Sequence, residues 1–277
     1  MPPKQPADRQ VRVGTSGWSY PRWHGDFYPA GLPARAELEY LSRRMNSAEI
    51  NAAFYSLQRP DRYRSWAAQT PPDFRFAVKG GRYITHMKRL RNVRQALANY
   101  FASGVLELGA RLGPILWQLP ARSRFDETVL DDFFRQLPRS TTDAAALARY
   151  HDQRLDGRSA TSTDADRPLR HAIEVRNDSF LQPAFHELLR VHNIAVVMSD
   201  GAGHWPLTDT ITADFVYIRL HGSERLYGGG YDADALSSWA ERIRDWSTER
   251  DVFVYFDNDA DGRAPFDAEA LLNLVTA

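Results

Sequence analysis

Short apolar runs rich in Val, Ile and Phe recur along the chain, separated by stretches with a helical spacing of apolar positions. Eight runs read as strands: 11–16, 46–51, 74–79, 114–119, 171–176, 194–199, 215–220 and 252–257. Helical periodicity fills most of the gaps, at about 34–44, 61–69, 92–107, 126–136, 182–192, 234–247 and 267–275. Strand–helix alternation repeated in this way predicts an α/β fold, a single-domain (β/α)8 TIM-like barrel over residues 11–277. A doubly wound open sheet is the rival topology, but no glycine fingerprint follows any of the strands. Two stretches break the rhythm. Residues 139–170, between the fourth and fifth strands, read as an insertion, a helix followed by a Ser/Thr/Asp-rich loop outside the barrel. Residues 200–213 carry no helical period, so the sixth crossover is expected to be irregular. Residues 1–10 are polar and read as a disordered tail.

Strand parity then separates two faces. In the seventh run Val216, Ile218 and Leu220 face the helices, which turns Tyr217, Arg219 and His221 inward. The same reasoning turns inward Glu49 and Asn51, Lys79, Gln118, Glu174 and Arg176, and Tyr255 and Asp257, with Ser16 closing the first run and Asp200 just past the sixth. These polar residues stand at the C-terminal ends of their strands, the face on which barrel enzymes build active sites. A charge turned into a barrel costs several kcal/mol unless it is paired or used. A convergence of Glu49, Lys79, Glu174, Arg176, Arg219, His221 and Asp257 on one mouth therefore signals either a site or a balanced ionic network closing the barrel.

Composition narrows the chemistry. The 277 residues include no cysteine, which excludes disulfides, thiol catalysis and Cys-ligated metals. Thirty-five basic and thirty-five acidic side chains balance, so nucleic acid is not indicated as a partner by net charge, although a local basic patch is allowed. No apolar run approaches the roughly 18 residues of a membrane span, and a cytoplasmic protein is expected. Three chemistries remain. Lys79, Arg176 and Arg219 suit a small anionic ligand bearing phosphate or carboxylate. Glu174, His221 and Glu49 are the candidate catalytic residues for acid–base work, the two carboxylates also forming a conceivable glycosidase pair. A divalent metal could be held by Glu49, Glu174, Asp200, His221 or Asp257, but no histidine pair at ligand spacing exists and the neighbouring cations oppose it, so no cofactor is assigned. Asn51, Gln118 and Asp257, with Trp18 and Tyr55 from the aromatic loops, complete the expected substrate-binding set. The basic run His86, Lys88, Arg89, Arg91 and Arg94 reads either as phosphate contacts or as a solvated helix face.

Seven segments, VGTSGWSYPRWHGDFYP (13–29), AEINAAFYSLQRP (48–60), FRFAVKGGRYITHMKRL (74–90), GPILWQLP (113–120), AIEVRNDSF (172–180), VYIRLHG (216–222) and VFVYFDNDADGRAPFDAEAL (252–271), together resemble domain-of-unknown-function family 72, the YecE-like proteins. The resemblance spans nearly the whole chain from about residue 11 and implies a TIM-like barrel, without an assigned reaction. Asn177 departs from it, standing after the Glu-Val-Arg motif where histidine is expected. The reading at this point is a barrel enzyme acting by acid–base chemistry on an anionic substrate. A non-catalytic ligand- or nucleic-acid-binding barrel and a metal-assisted hydrolase or isomerase remain as alternatives.

Overall fold

The computed structural model describes residues 10–276. Its elements follow in the order β1 (Val11–Ser16), α1 (Glu37–Ser42), β2 (Ser47–Ile50), α2 (Ala52–Tyr55), α3 (Pro60–Ala68), β3 (Arg75–Lys79), α4 (Arg94–Ala102), β4 (Leu112–Gln118), α5 (Glu127–Gln136), α6 (Thr141–Ala148), β5 (His171–Glu174), α7 (Pro183–Val191), β6 (Ile194–Asp200), β7 (Phe215–Leu220), α8 (Ala233–Ser247), β8 (Asp251–Phe256) and α9 (Ala264–Thr276). All neighbouring strands pair in parallel and β8 closes on β1, so the sheet is an eight-stranded barrel in sequence order. Among the described residues no helix is long and apolar enough to cross a membrane.

The barrel closes because its two faces are apolar in different ways. Outward residues such as Val13, Ile50, Val78, Trp117, Ile173, Ile218 and Val254 are buried beneath the helices in one large core. Inward, the small Ala77, Ala172 and Ala195 cluster with the large Phe215, Tyr217, Phe253 and Tyr255. Large rings from β7 and β8 against small side chains from β3, β5 and β6 suit the filling of a narrow barrel. Gly14 serves the same fit. A Cβ there would stand 1.9 Å from the Ser47 carbonyl oxygen of β2, so only glycine lets the two strands approach.

Strand limits move by a few residues from the sequence expectation. In β4 the register shifts by one opposite Phe76 and Val78, the bulge that accommodates Gly113 and Pro114. The 139–170 insertion contains α6, capped by Ser140, and a short 3-10 turn at Gln153–Leu155. It lies outside the barrel, with α6 packed on α4. The sixth crossover has no helix. The expected disordered tail lies outside the described residues except for Gln10, whose carbonyl accepts from Val252 and extends the β1–β8 edge.

Candidate functional site

The inward polar residues meet at the C-terminal end of the barrel around Arg219, whose guanidinium is only 1% exposed. Its Nε donates to Glu49 Oε2 at 3.1 Å and its Nη2 to Glu49 Oε1 at 2.8 Å. Nη1 donates to Glu174 Oε2 at 2.8 Å, and Nη2 also reaches Ser16 Oγ at 2.7 Å and Asp257 Oδ2 at 3.2 Å. Tyr217 donates to Glu49 Oε2 at 2.6 Å from below. Burial works against the Arg219 charge, but Glu49, Glu174 and Asp257 outweigh it and raise its pKa well above the ordinary value. A guanidinium has five N–H donors, and here they are absorbed by protein. Arg219 is thus the hub of the charge cluster, and the sequence expectation that it grips a ligand directly gives way to that role.

Glu174 is fully buried and held from both sides. Arg219 takes Oε2, and Arg176 donates to Oε1 from Nε at 2.9 Å. Burial would push its pKa up, but Arg219, Arg176, His221 and Lys79 prevail and hold it well below the usual range. A carboxylate held this way is a poor proton donor; it positions two arginines. Arg176 in turn lies over the Trp205 ring at 4.1 Å and donates to the Tyr227 hydroxyl at 3.0 Å. Trp205 and Tyr227 stand edge-on to His221, with ring centres at 5.2 and 5.5 Å, and roof the mouth from the sixth and seventh loops.

Three groups here lack a full set of partners. Lys79 ends β3 with its Nζ 4.4 Å over the Phe54 ring, and among the described residues no carboxylate oxygen lies within 4 Å of it. Burial and Arg219 lower its pKa. His221 Nδ1 is 3.0 Å from Asp257 Oδ2 but poorly aligned with it, so that buried nitrogen has no hydrogen-bond partner; Nε2 faces Arg219 Nη1 at 3.5 Å and lies 3.6 Å from Glu174 Oε1. Asn51 donates to Ser16 Oγ at 2.9 Å while its buried Oδ1 accepts nothing. Gln118 ends β4 beside Glu174, paired with it in register.

Two carboxyls near β8 are driven apart. Asp257 is held down to about 2: burial opposes the charge, but Arg219 and His221 win. Asp259 is pushed up to about 8 by burial and by the Asp257 charge. Neither of its buried oxygens has a well-formed hydrogen bond; the Tyr20 hydroxyl and the unpartnered Trp23 Nε1 face it and pull the pKa back only in part. Asp259 and Trp205 were not singled out from the sequence. Asp259 lies past the end of β8, where parity no longer applies, and Trp205 sits in the sixth loop, whose only visible signal was the lack of a helical period.

Two aromatics expected in the binding set lie elsewhere. The Trp18 ring packs edge-on to Trp66 at 5.5 Å and against Phe76 at 6.1 Å, on the helix side of the barrel. Gly17, with φ of +92°, turns the chain there and ends the strand's alternation. Tyr55 ends the one-turn helix α2 and is 70% exposed, on a side cleft with Tyr83 and Met87. Asp200 is engaged by the Tyr231 hydroxyl at 3.1 Å. Asn177 caps the turn that follows Arg176, accepting from Ser179, and brings no third imidazole to Glu174. Among the described residues, no three His, Asp or Glu side chains are grouped so as to hold a metal ion. The mouth carboxylates are instead turned onto arginine.

Residues 12–277 match the family model described as protein of unknown function DUF72. The UPF0759 protein YunF of Bacillus subtilis (strain 168) is 22% identical, over 96% of this chain and 94% of that protein. A DUF72 family protein of Thermotoga maritima MSB8 superposes with a TM-score of 0.74 at 23% identity, covering 97% of this chain and 100% of that one. A DUF72 family protein of Enterococcus faecalis V583 also gives 0.74, at 17% identity over 97% and 96% of the two chains. With the family model spanning all but the first residues of a closed parallel barrel, the chain belongs to the DUF72 family.

Proposed function

We propose that the mouth is an active site for proton-transfer chemistry on a small anionic substrate. The observation that carries this reading is the uneven saturation of the cluster: Arg219, Glu49 and Glu174 satisfy one another, while Lys79, His221 and Asp259 beside them are left short of partners. Buried polar groups are normally paired, and exceptions call for an occupant or a reaction. In this reading Lys79 and the N–H groups that Arg176 keeps on Nη1 and Nη2, beyond those given to Tyr227 and Glu174, hold the anionic group. His221, backed by Asp257, takes or returns a proton, its loose contact tightening when substrate is bound. Asp259, protonated at neutral pH, is the complementary donor. Two carboxyls with widely separated pKa values are the pattern that acid and base roles require. Glu49 and Glu174 act one step back, fixing the arginines.

The test needs no prior substrate. A mixture of phosphorylated and carboxylated metabolites is incubated with the protein in D2O, and mass spectrometry follows compounds that gain deuterium or change mass. His221→Gln and Asp259→Asn are expected to abolish the change, and Lys79→Met to weaken it chiefly through KM. A compound converted equally well by His221→Gln would overturn the assignment, as would a mixture that wild type leaves unaltered.

A further inference from the structure

A second concave feature opens on the same face of the barrel, between the loops that follow β3 and β4. It has a volume of about 230 Å3, and four arginines line it: Arg89 and Arg91 from one loop, Arg122 and Arg124 from the other. One acidic residue, Asp126, shares the lining and is already committed. Its Oδ2 accepts from Arg91 at 2.9 Å, and its Oδ1 caps α5 by accepting from the Val129 amide at 3.1 Å. Among the described residues, no carboxylate lies within salt-bridge distance of Arg89, Arg122 or Arg124. Three uncompensated guanidinium groups therefore share one small cleft in a protein whose overall charge is zero.

The backbone is shaped to hold them there. After β3 the chain makes one π-helical turn at Tyr83–Met87 and then places Arg89, Leu90 and Asn92 in the left-handed region, with φ of 50°, 65° and 53°. Non-glycine residues in this region carry a strain that persists only where the surroundings impose it. Leu90, 4% exposed, supplies the anchor: its side chain is buried, its amide donates to the Ile84 carbonyl, and Arg89 and Arg91 are thrown out on either side. Across the cleft, a turn closed by Ser123 N to Pro120 O and a bond from Phe125 N to Ser179 Oγ fix the segment bearing Arg122 and Arg124. Leu119 and Phe180 give the cleft an apolar floor.

A chain of side-chain contacts links the cleft to the mouth. Thr85, in its wall, bonds His86 Nδ1 at 2.9 Å, and the His86 ring stands edge-on to Phe54, the ring under Lys79. After burial, the influences that lower the His86 pKa are Lys79, Arg82, Arg176 and Arg122, so cations of mouth and cleft act on the same imidazole.

We propose that this cleft is a phosphate subsite, holding the phosphoryl group of a small organic phosphate ester whose reacting end lies at Lys79 and Arg176. Converging arginine forks match the several oxygens of a phosphate better than the two of a carboxylate. The small volume of this open cleft and the zero net charge favour a compact ester over a polynucleotide track. This inference rests on the reading of the mouth as the reacting centre, and its test separates the two. Inorganic phosphate, pyrophosphate and a sugar monophosphate are titrated calorimetrically into wild type, Arg89→Ala, the double variant Arg122→Ala/Arg124→Ala, Lys79→Met and, as a surface control, Arg94→Ala. The cleft variants are expected to bind pyrophosphate and the sugar phosphate at least about tenfold more weakly, with Arg94→Ala unchanged. The altered side chains are exposed, so thermal unfolding should match wild type. Cleft variants that weaken the sugar phosphate while Lys79→Met leaves its affinity unchanged would keep the subsite and sink the mouth reading. Loss of phosphate binding in Lys79→Met alone would overturn the subsite, as would equal affinity in every variant. A single-stranded oligonucleotide binding far more tightly than pyrophosphate, with a steep salt dependence, would overturn the small ester.

Discussion

Replacing Asp259 with asparagine should stabilise the protein, and more so as pH rises. The carboxyl is buried without a well-formed hydrogen bond, and its pKa stands at about 8 in the folded protein against 3.8 for an ordinary aspartate. Between those values the unfolded chain has lost the proton that the folded chain keeps. The sign follows: this residue's contribution is intact below 3.8 and is lost as pH rises toward 8. Each pH unit in the window is worth about 1.36 kcal/mol, so the cost at pH 7 is ~4 kcal/mol. Asparagine has nearly the same shape and no charge to bury. Its amide brings donors that the site does not pair, returning roughly 1–2 kcal/mol of the gain. A net gain of ~2–3 kcal/mol corresponds to roughly 3–6 °C in Tm for a chain of this length. Wild type alone would mask the effect, because His171 pulls the other way. Buried against the Pro138 carbonyl, its pKa is lowered to about 4, so its contribution is present above about 6.5 and lost as pH falls toward 4. The assay is therefore a difference: denaturant unfolding of wild type and Asp259→Asn at pH 4.5 and at pH 8.5. A variant advantage of equal size at both pH values, or none at pH 8.5, would refute the argument.

Arg219→Met would leave Glu49, Glu174 and Asp257 facing one another in a dry interior; a loss of at least ~3–5 kcal/mol is expected in urea titrations, and a wild-type midpoint would contradict the hub role. Arg219→Lys should rescue little of this, since one ammonium cannot reproduce the fork spanning both carboxylates. Gly14→Ala puts a methyl into the Ser47 carbonyl and should yield insoluble protein or a sharply lowered Tm, whereas a wild-type melting curve would show that β1 and β2 can part without cost. Asp257, held at about 2 against 3.8, contributes stability above 3.8 that is lost as pH falls toward 2; Asp257→Asn should flatten stability between pH 4 and 2, as read by circular dichroism on acid titration.

The barrel was legible because its signal is redundant. Eight apolar runs and the gaps between them have few other solutions, and β1 and β7 match the sequence reading residue for residue. Parity placed Glu49, Lys79, Glu174 and Arg219 on the inner face because alternation holds wherever the backbone is extended. It failed where extension stops. Trp18 follows a left-handed glycine, and Tyr55 sits on a single helical turn, so neither direction could be inherited from the strand before it. The hydrogen bonding inside the cluster was equally hidden. Alternation brings three carboxylates and three cations to one place, but which cation is consumed depends on reach. Arg219 spans the barrel, and Lys79 is left over a phenyl ring. The arginine cleft needed two loops brought side by side, and the basic run after β3 showed only one of them.

Arg219 also bears on how the barrel closes. From β7 it holds Ser16 of β1, Glu49 of β2, Glu174 of β5 and Asp257 after β8, so the acids that neutralise it come from both halves of the chain. A chain cut between β4 and β5 would put Ser16 and Glu49 on one fragment and the guanidinium on the other. The first piece could not bury Glu49 without its cation, and the second, though it keeps Glu174 and Asp257 beside Arg219, would lack the Glu49 and Ser16 that accept from its Nε and Nη2. A half-closed sheet faces the same penalty. The polar plug at the barrel top therefore works as a latch on cooperativity: it adds little to the net stability of the finished fold, yet it disfavours every arrangement in which the eight strands have not yet met.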